Sequence, residues 1–309
     1  MSLFSRLHKR VRRDFFKWRY MRAASKVLDT PPLLQGSLPF MALSMVHKRD
    51  VVSYLIAVKS FALHANPHRI VVVCDPSIDD DDRAIFSRHI PHVELRQASE
   101  FADSRVPRGG CWERLQAIAS YVQESYVVQL DADTVTVKPI SEVLDAIKNR
   151  MGFVLGEKPQ QQIQPIVETS EFARLHLAPY DHIQAIAELR MVELGVSADG
   201  YYVRGCAGFT GFPQTSTMLD KLITYSTNMQ RLIGSRWTEW GTEQVTSNYL
   251  VANAHGSKVL SFPDYCTPDR ATDRTAFLHF IGYTRFVSSY YEKTSASIIR
   301  LLGIDSKTN

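Results

Sequence analysis

Tyr126-Val-Val-Gln-Leu-Asp131-Ala-Asp133-Thr134 is the stretch on which the reading of this chain turns. An apolar run suited to a buried strand leads straight into two carboxylates spaced i, i+2. At a strand end that spacing aims both acids at one point above a sheet. Two hard oxygen ligands at one point suit Mg²⁺ or Mn²⁺, with waters and substrate phosphates completing the shell. Aspartate is also common where strands stop, as a turn former or helix cap, so the pair needs support from elsewhere in the chain.

Working outward, the upstream sequence alternates. Residues 40–46 read as an apolar strand, 51–64 as a helix and 70–74 as a β-branched strand covered on both faces. Residues 78–88 read as a helix opened by the acidic run 79–82, 93–95 as a short strand and 112–122 as a helix. Strands alternating with helices imply parallel βαβ units, whose ligands sit at the carboxyl ends of the strands. Downstream the pattern degrades. Residues 157–200 are Gln-rich at first, then helical from about His182 to Leu194, as expected of an insertion over the sheet edge. Strands resume at 205–212 and 259–262, and 287–309 form a C-terminal helix or tail. With no internal repeat and no linker-like composition, one mixed α/β domain over residues 38–286 is the simplest account.

The chain has 309 residues, 45% hydrophobic and 22% charged, which excludes a disordered or collagen-like protein. No run approaches the roughly 18 apolar residues of a spanning helix. Cys74, Cys111, Cys206 and Cys266 show no metal-ligand spacing and read as reduced, mostly buried thiols of a cytoplasmic protein. The net charge of +4 hides an asymmetry: residues 1–26 carry nine basic side chains and one acid, Asp14, so the remainder is mildly acidic. That argues against a nucleic-acid-binding core.

In the basic arm, residues 1–30, Phe4, Leu7, Val11, Phe15 and Trp18 recur at helical spacing with Arg and Lys between them. Such a helix lies in a membrane interface, which would make the protein peripheral on the inner face of a membrane, or it packs its stripe on the body. The arm lacks the apolar core and small-residue cleavage site of a signal peptide; its Arg-rich, acid-poor composition also fits a mitochondrial presequence, less well.

Three further segments carry chemistry. Ala276-Phe-Leu-His279-Phe-Ile-Gly282-Tyr-Thr-Arg285 offers a metal ligand, a glycine that lets a backbone N–H approach an anion, and a guanidinium that forks onto phosphate. Trp237-Thr-Glu-Trp240-Gly-Thr242-Glu243-Gln244 opens an amphipathic helix. There Thr242 reads as the N-cap and Glu243 favours the positive end of the dipole, while Gln244 and the tryptophans suit a sugar pocket. Arg114 starts the helix 17 residues before Asp131, on the side where a parallel sheet binds ligands.

Taken in order, these segments resemble the GT-A nucleotide-sugar glycosyltransferases, most closely the family 8 pattern of glycogenin-like and bacterial lipopolysaccharide galactosyl- and glucosyltransferases. The resemblance rests on Arg114-Leu115, Asp131-Ala132-Asp133, Cys206-Ala207-Gly208, Glu243-Gln244, Phe262-Pro263-Asp264-Tyr265 and His279 to Arg285, across residues 38–286. It implies a single GT-A, Rossmann-like domain: a mixed, mostly parallel sheet flanked by helices, with a helical insertion near 158–200. It implies a metal-dependent, retaining hexosyltransferase that uses a nucleotide sugar, UDP favoured, and a glycan or lipid-linked acceptor. Asp131, Asp133 and His279 would bind Mn²⁺ or Mg²⁺, and Gly282 and Arg285 would hold the diphosphate. Arg114 and Glu243 would bind donor-sugar hydroxyls, Gln244 would sit near the anomeric carbon, and Cys206 and Gly208 would help bind the nucleotide-sugar donor. Residues 44–54 would face the nucleotide, and the insertion would wall the acceptor. Here Cys206 replaces the family Asn, Glu243 the Asp and Arg285 the Lys.

Other classes share fragments of this pattern. Asp131-Ala-Asp133-Thr134 also fits the first motif of haloacid-dehalogenase-like phosphatases, with Asp131 as nucleophile, but that motif belongs on the first strand of its domain. A sugar-nucleotide pyrophosphorylase needs a Gly-rich loop where this chain has Met45-Val-His-Lys-Arg-Asp50. A non-catalytic membrane-associated binding protein leaves the ordered motifs unexplained.

Overall fold

The structure is a computed structural model and describes residues 3–176, 182–194, 200–282 and 284–304, with side chains described from residue 8 to 303 of these. Phe4, Leu7, Tyr283, the end of the tail and parts of the 158–200 insertion fall outside that description. In chain order the elements are α1 (Leu3–Ala24), β1 (Leu38–Val46), α2 (Val51–Ala65), β2 (Pro67–Cys74), α3 (Asp80–His89), β3 (Val93–Gln97), α4 (Trp112–Tyr121), β4 (Tyr126–Leu130), β5 (Thr134–Thr136), α5 (Ser141–Lys148) and β6 (Phe153–Gly156). They continue with β7 (Gln164–Pro165), α6 (Ile166–His176), α7 (Ile183–Arg190), β8 (Tyr201–Tyr202), β9 (Gly205–Phe212), α8 (Met218–Ile233), α9 (Thr242–Ala252), β10 (Lys258–Val259), β11 (Tyr265–Cys266), β12 (Phe277–His279) and α10 (Tyr290–Ile304). The hydrogen-bonded order of the main sheet is β10-β6-β9-β4-β1-β2-β3, and β11-β12-β5 form a small second sheet. β1 and β2 pair in parallel, as do β6 and β10, whereas β6 and β9 are antiparallel. The class is mixed α/β with a mostly parallel sheet.

The chain divides into two compact units, each discontinuous in sequence: residues 1–95, 130–141 and 263–309, and residues 96–129 with 142–262. In the first, α2 is apolar nearly all round and is buried along most of its length, as expected of a helix enclosed by its neighbours. Its one buried cation, Lys59, donates to the Thr30 hydroxyl and the Pro31 carbonyl, and lies 3.2 Å from His89 Nδ1. The acidic run opens α3 through a capping box in which Asp79 accepts from the Asp82 N–H and Asp82 accepts from the Asp79 N–H. Lys48 bridges both carboxylates.

In the second unit two readings of the sequence are corrected. Residues 166–176 form a helix, α6, that the sequence did not announce. Its buried positions are Ile166, Ser170 and Ala173, a stripe too small and polar to show helical periodicity, and the Ser170 hydroxyl donates to the Glu188 carbonyl at 2.7 Å. The strand expected at 259–262 stops at Val259. Leu260 N–H still bonds Val154, but the Ser261 N–H goes to the Glu142 carboxylate, and Pro263 has no N–H to give. Cys74 and Cys266 are buried, whereas Cys111 and Cys206 are half-exposed, so the expectation of mostly buried thiols holds for two of the four.

Candidate functional site

The first unit assembles the carboxylates, the histidine and the arginine. β4 ends at the buried Leu130, whose carbonyl accepts from the Ser44 hydroxyl of β1 at 2.6 Å. The chain then turns, with the Thr134 hydroxyl donating to the Asp131 carbonyl at 2.8 Å. β5 pairs antiparallel with β12, placing His279 opposite Thr134, and the Phe280 N–H donates to the Asp133 carbonyl. That pairing, not sequence proximity, brings His279 Nε2 to 3.1 Å from Asp133 Oδ1 and 3.9 Å from Asp131 Oδ2.

Ligand atoms of Asp131, Asp133 and His279 all lie within 4.8 Å of one another. Neighbouring ligands of an octahedral ion at about 2.1 Å stand about 3 Å apart, and opposed ones about 4 Å, so this donor set fits a small divalent cation with little movement. Two carboxylates and one imidazole are the ligand chemistry Mn²⁺ or Mg²⁺ accepts, with the nitrogen better suited to Mn²⁺.

Arg285 closes the cluster. Its guanidinium spans Asp133 Oδ2 at 2.6 Å and Asp50 Oδ1 at 3.0 Å. Burial pushes the Asp133 carboxyl up, but His279 and Arg285 outweigh it and hold it at about 2. Arg285 stays charged: burial works against it, and Asp133, Tyr291 and Asp50 more than compensate. Gly282 has an open surface, with nothing within 4 Å of where a Cβ would stand. Asp50, buried at the start of α2, was not singled out from sequence; an acid at the first helix start after β1 was the available signal. At the ends of β1 and β2, His47 Nδ1 lies 3.0 Å from Asp75 Oδ2, and the Ser77 hydroxyl donates to Asp75.

The second unit brings together another pair. Arg114 on α4 and Glu243 on α9 are both buried, and one guanidinium nitrogen donates to both carboxylate oxygens at 3.1 and 3.2 Å. Arg114 is therefore not a solvated helix arginine. Trp112 Nε1–H donates to the Thr242 hydroxyl at 3.1 Å, tying the two helix starts together. The expected N-cap is displaced by one residue. Gly241 holds that position at φ 105°, and Thr242, inside the helix, donates instead to the Glu239 carbonyl. A side chain at Gly241 would strike the His182 ring as well as strain the backbone.

Gln244 follows Glu243 on the first turn of α9 and is half-buried. Cys206 and Gly208 lie on β9, whose Gly205 carbonyl accepts from Asn248 of α9. The two tryptophans separate sharply. Trp237 is core, donating to the Ser226 hydroxyl, whereas Trp240 is 73% exposed and meets the His182 ring edge-to-face at 5.9 Å. His182, from the insertion, carried no sequence signal as a neighbour of Trp240.

A βαβ-derived sheet with an Asp-x-Asp-His cluster after β4 defines the GT-A class of fold. No family model matches the chain. No curated protein matches it either. Among solved structures, it is similar to an active-site mutant of LgtC, with TM-score 0.51 and 12% identity over 85% of this chain and 96% of that one. It is also similar to the apo structure of the bifunctional glycosyltransferase WbbM, with TM-score 0.50 and 14% identity over 87% of this chain. The chain spans 50% of the length of WbbM. At these identities the likeness is one of fold. The phosphatase reading is not favoured: Asp131 follows the fourth strand of the chain, not the first.

Proposed function

We propose that this chain is a glycosyltransferase that moves a hexose from a nucleoside-diphosphate sugar, UDP favoured, to a hydroxyl of a glycan or lipid-linked acceptor. The observation that carries the reading is the convergence of Asp131, Asp133 and His279 within 4.8 Å, on a fold similar to that of glycosyltransferases. Asp131, Asp133 and His279 would hold Mn²⁺ or Mg²⁺, and such an ion would supply positive charge to a departing diphosphate. Arg285 meets a diphosphate oxygen from the same cluster and keeps Asp133 ionised. The anomeric C–O bond breaks with its electron pair leaving on the diphosphate; the acceptor oxygen bonds the anomeric carbon and its proton passes to the departing diphosphate oxygen. Arg114 and Glu243, held rigid by each other, bind donor-sugar hydroxyls, and Gln244 stands next to them on the helix. The family pattern favours retention of configuration.

Trp240, exposed in the second unit and braced edge-on by His182, offers an aromatic surface suited to an acceptor sugar face. Trp240→Ala should raise the acceptor KM about tenfold and leave donor binding unchanged.

The central test is a thermal-shift series with UDP, GDP, CDP and ADP, each with Mn²⁺ and with EDTA. A nucleotide at about 100 times its Kd adds roughly 2.7 kcal/mol of stability, a rise of a few degrees at this size. A metal-dependent rise with one nucleotide, absent in Asp133→Ala, supports the reading. A flat response to all four overturns it.

A further inference from the structure

We propose that α1 docks the protein on an anionic lipid surface through the face carrying Val11, Phe15 and Trp18. The helix is two-sided. At 3.6 residues per turn, Val11, Phe15 and Trp18 share one side, and Phe16, Tyr20 and Ala24 lie on the opposite one. The second side packs within the first unit. Tyr20 and Ala24 are buried, Tyr20 stacks on Tyr291 at 4.0 Å, and its hydroxyl donates to Ser53. Arg19 ties the same helix to Glu292 of α10 at 2.9 Å. Among the described residues the first side meets no such partner: Val11, Phe15 and Trp18 are 61%, 51% and 58% exposed.

Three large apolar side chains held in water on a fixed helix call for an apolar cover. The surrounding charge says what kind. Arg22 is exposed on that face with the exposed Arg12 and Lys26 beside it, and Asp14 is the one acid in the first 26 residues. Arg19 and Arg22 sit over the Phe15 and Trp18 rings at 5.8 and 5.9 Å, beside a groove of about 440 Å³ that Lys26 and the Arg19 partner Glu292 also line. Guanidinium groups next to aromatic rings suit a headgroup phosphate above and an acyl boundary below. A polyanion such as RNA answers the charge and leaves the apolar stripe in water. A second copy of this chain brings its own eight surplus positive charges against these. An anionic bilayer answers both features.

Docking through this face is independent of the transfer reaction. Deleting the arm would not test it, because deletion removes Tyr20 and Ala24 from the core, and loss of vesicle binding in a truncation would not separate docking from folding. Point substitutions on the exposed side do.

The experiment is co-sedimentation of the full chain with vesicles of phosphatidylcholine alone and of phosphatidylcholine and phosphatidylserine in equal parts. The expected result is binding to the mixed vesicles only, weakened by added salt. Phe15→Ser with Trp18→Ser should bind at least about tenfold more weakly, with an unchanged unfolding midpoint because both side chains are exposed. Arg12→Ser with Arg22→Ser should weaken binding and reduce its salt dependence. Equal binding by the Phe15/Trp18 variant and the wild type overturns the proposal, as does failure of the wild type to sediment. Light scattering adds a second measurement: if the wild type is a dimer and the Phe15/Trp18 variant a monomer, the face is a self-interface and the lipid proposal falls.

Discussion

The acidic cluster of the first unit and the Arg114–Glu243 pair of the second are both buried charge, but they are built to opposite ends. Asp50, Asp131 and Asp133 stand with Arg285, which spans Asp50 and Asp133, with Arg49, which pairs with Asp50 at 3.3 Å, and with His279; Asp131 keeps part of its carboxylate toward solvent. Ligand atoms of Asp131, Asp133 and His279 converge within 4.8 Å there, which is the geometric condition for holding a divalent ion. Arg114 and Glu243 set one cation against one anion, both buried and joined through both carboxylate oxygens. That pair needs no further ion, and its order is already established before a ligand arrives. Burial alone therefore does not mark a candidate metal site; the convergence of several ligand atoms on one point does.

The comparison breaks most visibly at the neutral pair. Arg114→Ala should cost about 3–5 kcal/mol of stability, because it strands the Glu243 carboxylate, and urea unfolding would measure it. Replacing both residues together by apolar ones of similar size should recover most of that loss while abolishing activity. If Arg114→Ala is as stable as the wild type, the pair is not the rigid element described. In the acidic cluster the expected order is reversed, with function lost before stability. Asp133→Asn should lower turnover by about 10²–10³-fold and remove the Mn²⁺-dependent nucleotide shift, yet still fold. Retention of the metal-dependent shift in that variant would remove Asp133 from the ligand set.

Arg285→Lys sharpens the contrast within the cluster. A lysine keeps the charge but cannot span Asp133 and Asp50 at once, so the nucleotide KM should rise about tenfold with kcat less affected. An unchanged KM would leave Arg285 a purely structural ion. The smallest effect is on acid stability. Asp133 is held at about 2 against an ordinary value of 3.8, so its contribution is full above about pH 4 and lost as pH falls toward 2. Urea unfolding across that interval should show a shallower fall for Asp133→Asn than for the wild type.

Much of this arrangement was legible in local pattern. The βα alternation, β4 and the acids behind it follow from periodicities of two and 3.6 and from a buried run that stops. The helix α6 was not legible, since Ser170 and Ala173 bury surface without an apolar signature. Nor was the capping at α9, where Gly241 takes the place expected of Thr242 because only glycine fits beside His182 at that φ. The arm was legible as a helix but not as a two-sided one: the stripe that packs, through Tyr20 and Ala24, is not the stripe that periodicity made conspicuous.

By itself the sequence determined the order of elements, the position of Asp131 and Asp133 at a strand end, and the segregation of positive charge into the first 26 residues. These are local properties, written in side-chain spacing. The tertiary structure alone decided that His279 meets Asp133 across 146 residues and that Arg114 meets Glu243 across 129. Those meetings depend on which strand edge β5 pairs with and which helix starts Trp112 and Thr242 tie together. Hydrogen-bond closure between distant segments leaves no spacing in the chain to read.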